Sequence, residues 1–153
     1  MKSKAINHFF TLQRSPILLA PCLHQFYAQY VSRERDLLLS YLVLPMLLSP
    51  PMQAFLIHAK GSSSLRTMCA QQSRLVGLTH LVQQNKSLTH ASLLFLQAVE
   101  SIEITDNLSV KSLRAVDTEG ANPVHLTAAS RLAILFAEVD IVTLYRTLGF
   151  KSL

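Results

Sequence analysis

The sequence predicts a mainly α domain of the α+β class: five or six helices with one late β-hairpin, compact and winged-helix-like. Three observations predict it. Through most of the chain the apolar residues recur at steps of three and four, the period of a helix packed on one face. At Ile102-Glu103-Ile104-Thr105 the period drops to two, as in a half-buried strand. The 153 residues are 50% hydrophobic with a mean hydropathy of +0.30, which supplies one real core and excludes a disordered chain. The expected division is an N-terminal arm over 1–14 and a single helical domain over 15–153.

The arm is mixed in character. Phe9, Phe10 and Leu12 can tether it to the body, and without a continuous apolar stretch it does not read as a secretory signal. Ser15-Pro16 starts a first helix, with serine as N-cap and proline at a position whose N–H needs no partner. Leu19, Leu23, Phe26, Tyr27 and Tyr30 form its inner face, and Pro21 should kink it. Arg33 to Asp36 reads as a charged surface joint.

Asp36 opens the most apolar window of the chain, uncharged from Leu37 to Ile57. A helix apolar on all sides belongs in a core or a bilayer. Pro45, Pro50 and Pro51 cut this run into pieces too short to span a membrane alone, so it should be a central core helix with Leu42, Leu44 and Pro45 as its hub. Gly61 to Ser64 is a loop, with Ser64 as the next N-cap. Met68, Leu75, Leu78, Leu81 and Val82 make one stripe, with Gly77 allowing one bent helix or two short ones. Leu88, Ala91, Leu94, Phe95, Ala98 and Val99 make the following stripe. The hairpin then turns at Asp106-Asn107, residues that tolerate positive φ. Thr127 caps a helix through about Val139, and Asp140 caps a short last helix closed by Gly149. Helix, helix, hairpin over about residues 72–114 is the skeleton of a winged helix.

Chemistry is sparse. The six histidines lack metal-ligand spacing, no nucleophile or nucleotide-loop motif is present, and no cofactor is implied. Glu100 and Glu103 read as surface charges at a joint. Cys22 and Cys69 read as free buried thiols of a reducing, cytoplasmic protein. Charge is uneven. Residues 1–99 carry nine basic and two acidic residues, and residues 100–153 carry five basic and seven acidic. Lys60, Arg66, Arg74, Lys86 and His90 are therefore the candidate basic or partner face. In a DNA-binding winged helix, residues 85–99 would enter the groove, exposing Lys86, Thr89, His90, Ser92 and Gln97. That supplies few phosphate-neutralising charges.

Several short motifs recur together. An early S-P-x-L helix ends in an aromatic-x-x-Y segment, followed by L-x-Y-L-V-L-P-M-L-L at Leu39 to Leu48. A Gly/Ser loop then opens on S-L-R at Ser64 to Arg66, and S-L-L-F-L precedes the I-x-I-x-x-x-L hairpin. A-x-R-L-A-x-L-F-A and I-V-T-L-Y-R-T-L-G-F complete the set. Over about residues 15–151 this pattern resembles the middle-component proteins of bacterial three-component ABC (ABC-3C) systems, with Gln29 where they usually carry glycine. The resemblance implies a non-catalytic adaptor that links an ABC ATPase of the chromosome-maintenance or DNA-repair type to an effector in anti-phage or anti-plasmid defence. DNA contact, directly or through the complex, is the alternative role; a membrane partner is not expected.

Overall fold

A computed structural model describes residues 15–151. The arm over 1–14, with its proposed tether at Phe9, Phe10 and Leu12, lies outside the described residues. The fold is mostly helical with a two-stranded antiparallel hairpin late in the chain. Among the described residues there are eight α-helices where five or six were expected, because prolines and one glycine break the longer apolar runs.

Helix α1 (Pro16–Gln29) begins as expected at Ser15-Pro16, although the serine side chain caps no N–H, and it runs unbroken through Pro21. Its five predicted inner residues are all buried. It packs against the helices Pro123–Phe136, Lys86–Ala98 and Ser40–Leu48 and the strand Val110–Ser112, so α1 shares the centre with the Leu37–Ile57 run. Asp36–Leu39 forms a 3₁₀ turn rather than the first turn of a helix. Helix α2 (Ser40–Leu48) follows, with Leu42, Leu44 and Pro45 all buried. Ser49 stops it, and Pro50 and Pro51 occupy the first turn of α3 (Pro50–Ile57), where no N–H is missed. The run from Asp36 and α3 lie at 92° to each other. Among the described residues no single helix is long and apolar enough to cross a membrane.

Helix α4 (Leu65–Cys69) starts in a reciprocal capping box. Ser64 Oγ accepts from Thr67 N at 3.3 Å, and Ser64 N donates to Thr67 Oγ1 at 2.8 Å. Ser64→Ala should cost about 1 kcal/mol by chemical denaturation; an unchanged midpoint would show that the box is idle. A 3₁₀ turn at Gln72–Arg74 precedes Gly77, whose φ of 75° places the N-cap of α5 (Leu78–Gln84) in the left-handed region. Two short helices, rather than one bent one, therefore fill residues 65–84. Helix α6 (Lys86–Ala98) follows through Asn85, which is buried and donates from Nδ2 to Leu81 O at 2.7 Å.

Strands β1 (Ile102–Ile104) and β2 (Val110–Ser112) pair with Glu103 opposite Lys111. The left-handed residue of their turn is Leu108, at φ 61°, and not Asp106 or Asn107. The turn is held from outside: Arg35 N donates to Asn107 O and Leu37 N to Leu108 O, both at 3.0 Å. Docking on the α1–α2 joint thus outweighs the local preference for Asn. Helix α7 (Pro123–Phe136) starts a full turn before the expected Thr127. Asn122 Oδ1 accepts from Val124 N at 3.0 Å and Pro123 takes the first position, leaving Thr127 inside the helix. Helix α8 (Ile141–Thr147) is capped by Asp140, and Gly149 follows at φ 98°, both as expected.

Candidate functional site

The side chain that organises the interior is a carboxylate. Asp36 was expected in a surface joint, but it is fully buried, while Arg33, Glu34 and Arg35 beside it are exposed. Its Oδ2 accepts from Arg33 N at 2.8 Å and its Oδ1 from Val110 N at 2.7 Å. Tyr27 donates from its hydroxyl to Asp36 O at 2.8 Å. One residue thus ties α1, the joint and β2 together. Burial raises its carboxyl above the ordinary range more than the donated N–H groups lower it. These bonds are structural, and nothing about them is a reactive arrangement.

His24 is a second buried polar tie, with Nε2 2.8 Å from Ser112 Oγ. Burial lowers its pKa, and the positive Arg114 nearby lowers it further. A lowered native value means that the unfolded chain binds more protons between that value and 6.5. Stability should then fall on acidification through this window. His24→Gln should flatten the loss of Tm between neutral and mildly acidic pH, with His125 retaining a share of it, since burial lowers His125 too. Equal slopes for both proteins would remove His24 as the cause. Both cysteines are free. Cys22 is buried, and burial pushes its thiol up to about 11, which leaves it unreactive; Cys69 is half-buried.

The five candidate partner residues are exposed or half-buried, but they do not share one hollow. Arg66 sits on an open groove of about 950 Å³ between α4 and the α7–α8 region, which also holds Glu138 and Ile134. Lys60 is exposed in the loop before it. Arg74 is committed elsewhere: its Nη1 donates to Thr67 O and Met68 O, both at 3.2 Å, and its guanidinium lies 4.5 Å from the Phe55 ring centre. It closes the end of α4. Glu100 and Glu103 are exposed and line a shallow hollow with Arg114.

Only Lys86 and His90 come together. They line a pocket of about 240 Å³ with Leu38, Tyr41, Val82, Gln83, Tyr145 and Phe150. His90 Nε2 is 2.9 Å from Tyr41 Oη, with the rings edge to face. Tyr145 donates its hydroxyl to Leu38 O, and its ring meets Phe150 edge to face at 5.2 Å. The tyrosines were legible only as apolar positions. Nothing in the sequence links Tyr145 to Tyr41.

The expected face of α6 is corrected. Thr89 and Ser92 are fully buried, and Ser92 Oγ donates to Pro16 O at 3.3 Å. Leu94, assigned to the inner stripe, is 65% exposed, and Ala98 is exposed too. The small Ser92 faces α1 where the two helices pack, and the bulky leucine turns outward. That leaves Lys86, His90 and Gln97 of the five expected outward residues. Among the described residues no group of three His, Cys, Asp or Glu could hold a metal ion.

A family model described as ABC-three component (ABC-3C) system Middle Component 3 matches residues 3–152. No curated protein and no solved structure matches the chain.

Proposed function

The chain belongs to the Middle Component 3 family of ABC-three component systems, and from that membership we propose that it is a non-catalytic adaptor. In this reading it links an ABC ATPase of the SMC-like type to an effector in a bacterial defence system, and it works in the cytoplasm without a cofactor. The supporting observation is the extent of the match, residues 3–152 of 153. A middle component implies other components to contact, and the fold offers two concave surfaces suited to contact, the groove by Arg66 and the pocket by Lys86. The test is co-expression with any ATPase and effector that its neighbouring genes encode. Stoichiometric co-purification, together with loss of plasmid or phage restriction when this chain is deleted, is the expected result. An ATPase that purifies without it and restricts equally well in its absence would sink the proposal.

Duplex DNA binding is the weaker role. Arg74 is occupied in closing α4, and Arg66 and Lys86 line separate hollows rather than one stripe.

A further inference from the structure

We propose that the Lys86–His90 pocket is a docking site for an acidic peptide segment of a partner protein, one that inserts a single aromatic or large aliphatic side chain beside a carboxylate. This rests on the adaptor reading and goes beyond it by naming the recognition chemistry.

The pocket's chemistry is one-sided. Leu38, Val82 and Phe150 supply apolar wall. Tyr41 and Tyr145 add aromatic rings whose hydroxyls are already engaged, with His90 and with Leu38 O. An entering apolar group therefore displaces water without stripping a tyrosine hydroxyl of its partner. Lys86 and Gln83 are exposed on the rim, and among the described residues no carboxylate lines the pocket. The whole segment from Leu37 to Val99 holds no acidic residue that could neutralise Lys86 from its own helices. One lysine at the edge of an apolar well, with no opposing carboxylate on its own helices, selects an anionic group next to an apolar one.

Size argues for a peptide anchor over a free metabolite. The volume of about 240 Å³ lies below the roughly 300–1,000 Å³ usual for small-molecule sites, and it suits one side chain entering a pocket as the centre of a larger contact. Three separate parts of the chain build the well: the joint with α2, the α5–α6 face, and the end of α8 with Phe150. An occupant would hold them together, so binding should also stabilise the fold.

Fluorescence anisotropy with three labelled short peptides tests this on the full chain: Phe flanked by Asp, Ala flanked by Asp, and Phe flanked by Lys. The Asp-flanked Phe peptide should bind, and each of the others should bind about tenfold more weakly or worse. Lys86→Glu, on an exposed residue, should reverse the preference between acidic and basic flanks while the circular dichroism spectrum stays native. Equal binding of acidic and basic peptides, or an unchanged preference in Lys86→Glu, overturns the proposal. So does binding of free N-acetylphenylalanine as tight as that of the peptide, which would make the well a small-molecule site. The adaptor reading fails separately. If the ATPase and effector co-purify equally with wild type and Lys86→Glu, the pocket is wrong and the adaptor stands. If the peptides bind as expected but neither component co-purifies, the adaptor reading is wrong.

Discussion

Leu42→Lys should leave no folded protein. Leu42 has no exposed surface, and its helix α2 touches α1, α3, α5, α6 and α7. Removing the leucine forfeits about 1.5–3 kcal/mol of burial. The ammonium that replaces it has no carboxylate on its own helix, since Ser40 to Leu48 carries none. It must either be buried charged, at several kcal/mol after relaxation, or give up its proton. Backbone movement that brings it to water would open the contacts of five helices. Together these penalties match the roughly 5–15 kcal/mol that holds a domain of this size. Leu42→Ala should stay folded but lose about 2–5 kcal/mol, and Leu42→Met less than about 1.5 kcal/mol. Far- and near-ultraviolet circular dichroism with urea titration separates the three. A soluble Leu42→Lys variant with native near-ultraviolet signal would show that α2 is not central.

What the sequence conveyed about the fold follows from where local rules act alone. Ser64, Asp140 and Gly149 behave as read, because a cap is satisfied within one turn of chain and needs no distant partner. The inner residues of α1 and α7 are also as read, since both helices bury wide faces. Thr127 failed for a different reason. Asn122-Pro123 carries the same signature as Ser15-Pro16, so the earlier start of α7 was legible and the polar loop around it obscured it. The face of α6 was not legible by hydropathy. Thr89 and Ser92 are both buried, Ser92 against the start of α1, and that geometry exists only once both helices are placed.

The candidate site was legible in part for the same reason. Positive charge in the first two thirds of the chain singled out Lys86 and His90. Their pocket depends on Tyr145 and Phe150, more than fifty residues further on, which no local period connects to them. Arg74 shows the reverse error. A basic residue near a helix end reads as available, yet the last carbonyls of α4 and the Phe55 ring occupy it.

Asp36 is the residue whose reading changed most, and Asp36→Ala should separate the hairpin from the helices. The substitution leaves two N–H donors without acceptors. The amide of Val110, a fully buried residue, has no route to water, whereas that of Arg33 lies at the rim. Bonds to an ionised acceptor are worth about 1.5–3 kcal/mol each, and an orphaned buried donor costs about 1–3 kcal/mol. Removing the carboxylate also removes the desolvation that raises its own pKa, so the net loss should be about 2–4 kcal/mol rather than the full sum. Asp36→Asn should recover little of it, since its amide NH₂ would face one of the two N–H donors. The pH dependence carries a distinct signature. The folded state holds the Asp36 proton more tightly than the unfolded chain does. Its contribution therefore declines as pH rises from the ordinary carboxylate value through the raised native one, and Asp36→Ala should lack that decline. Amide exchange gives the local test. Val110 and the turn amides should lose protection while those of α2 keep theirs. Unchanged protection at Val110 would mean that the backbone bonds from Arg35 and Leu37 to the turn hold the hairpin without the carboxylate.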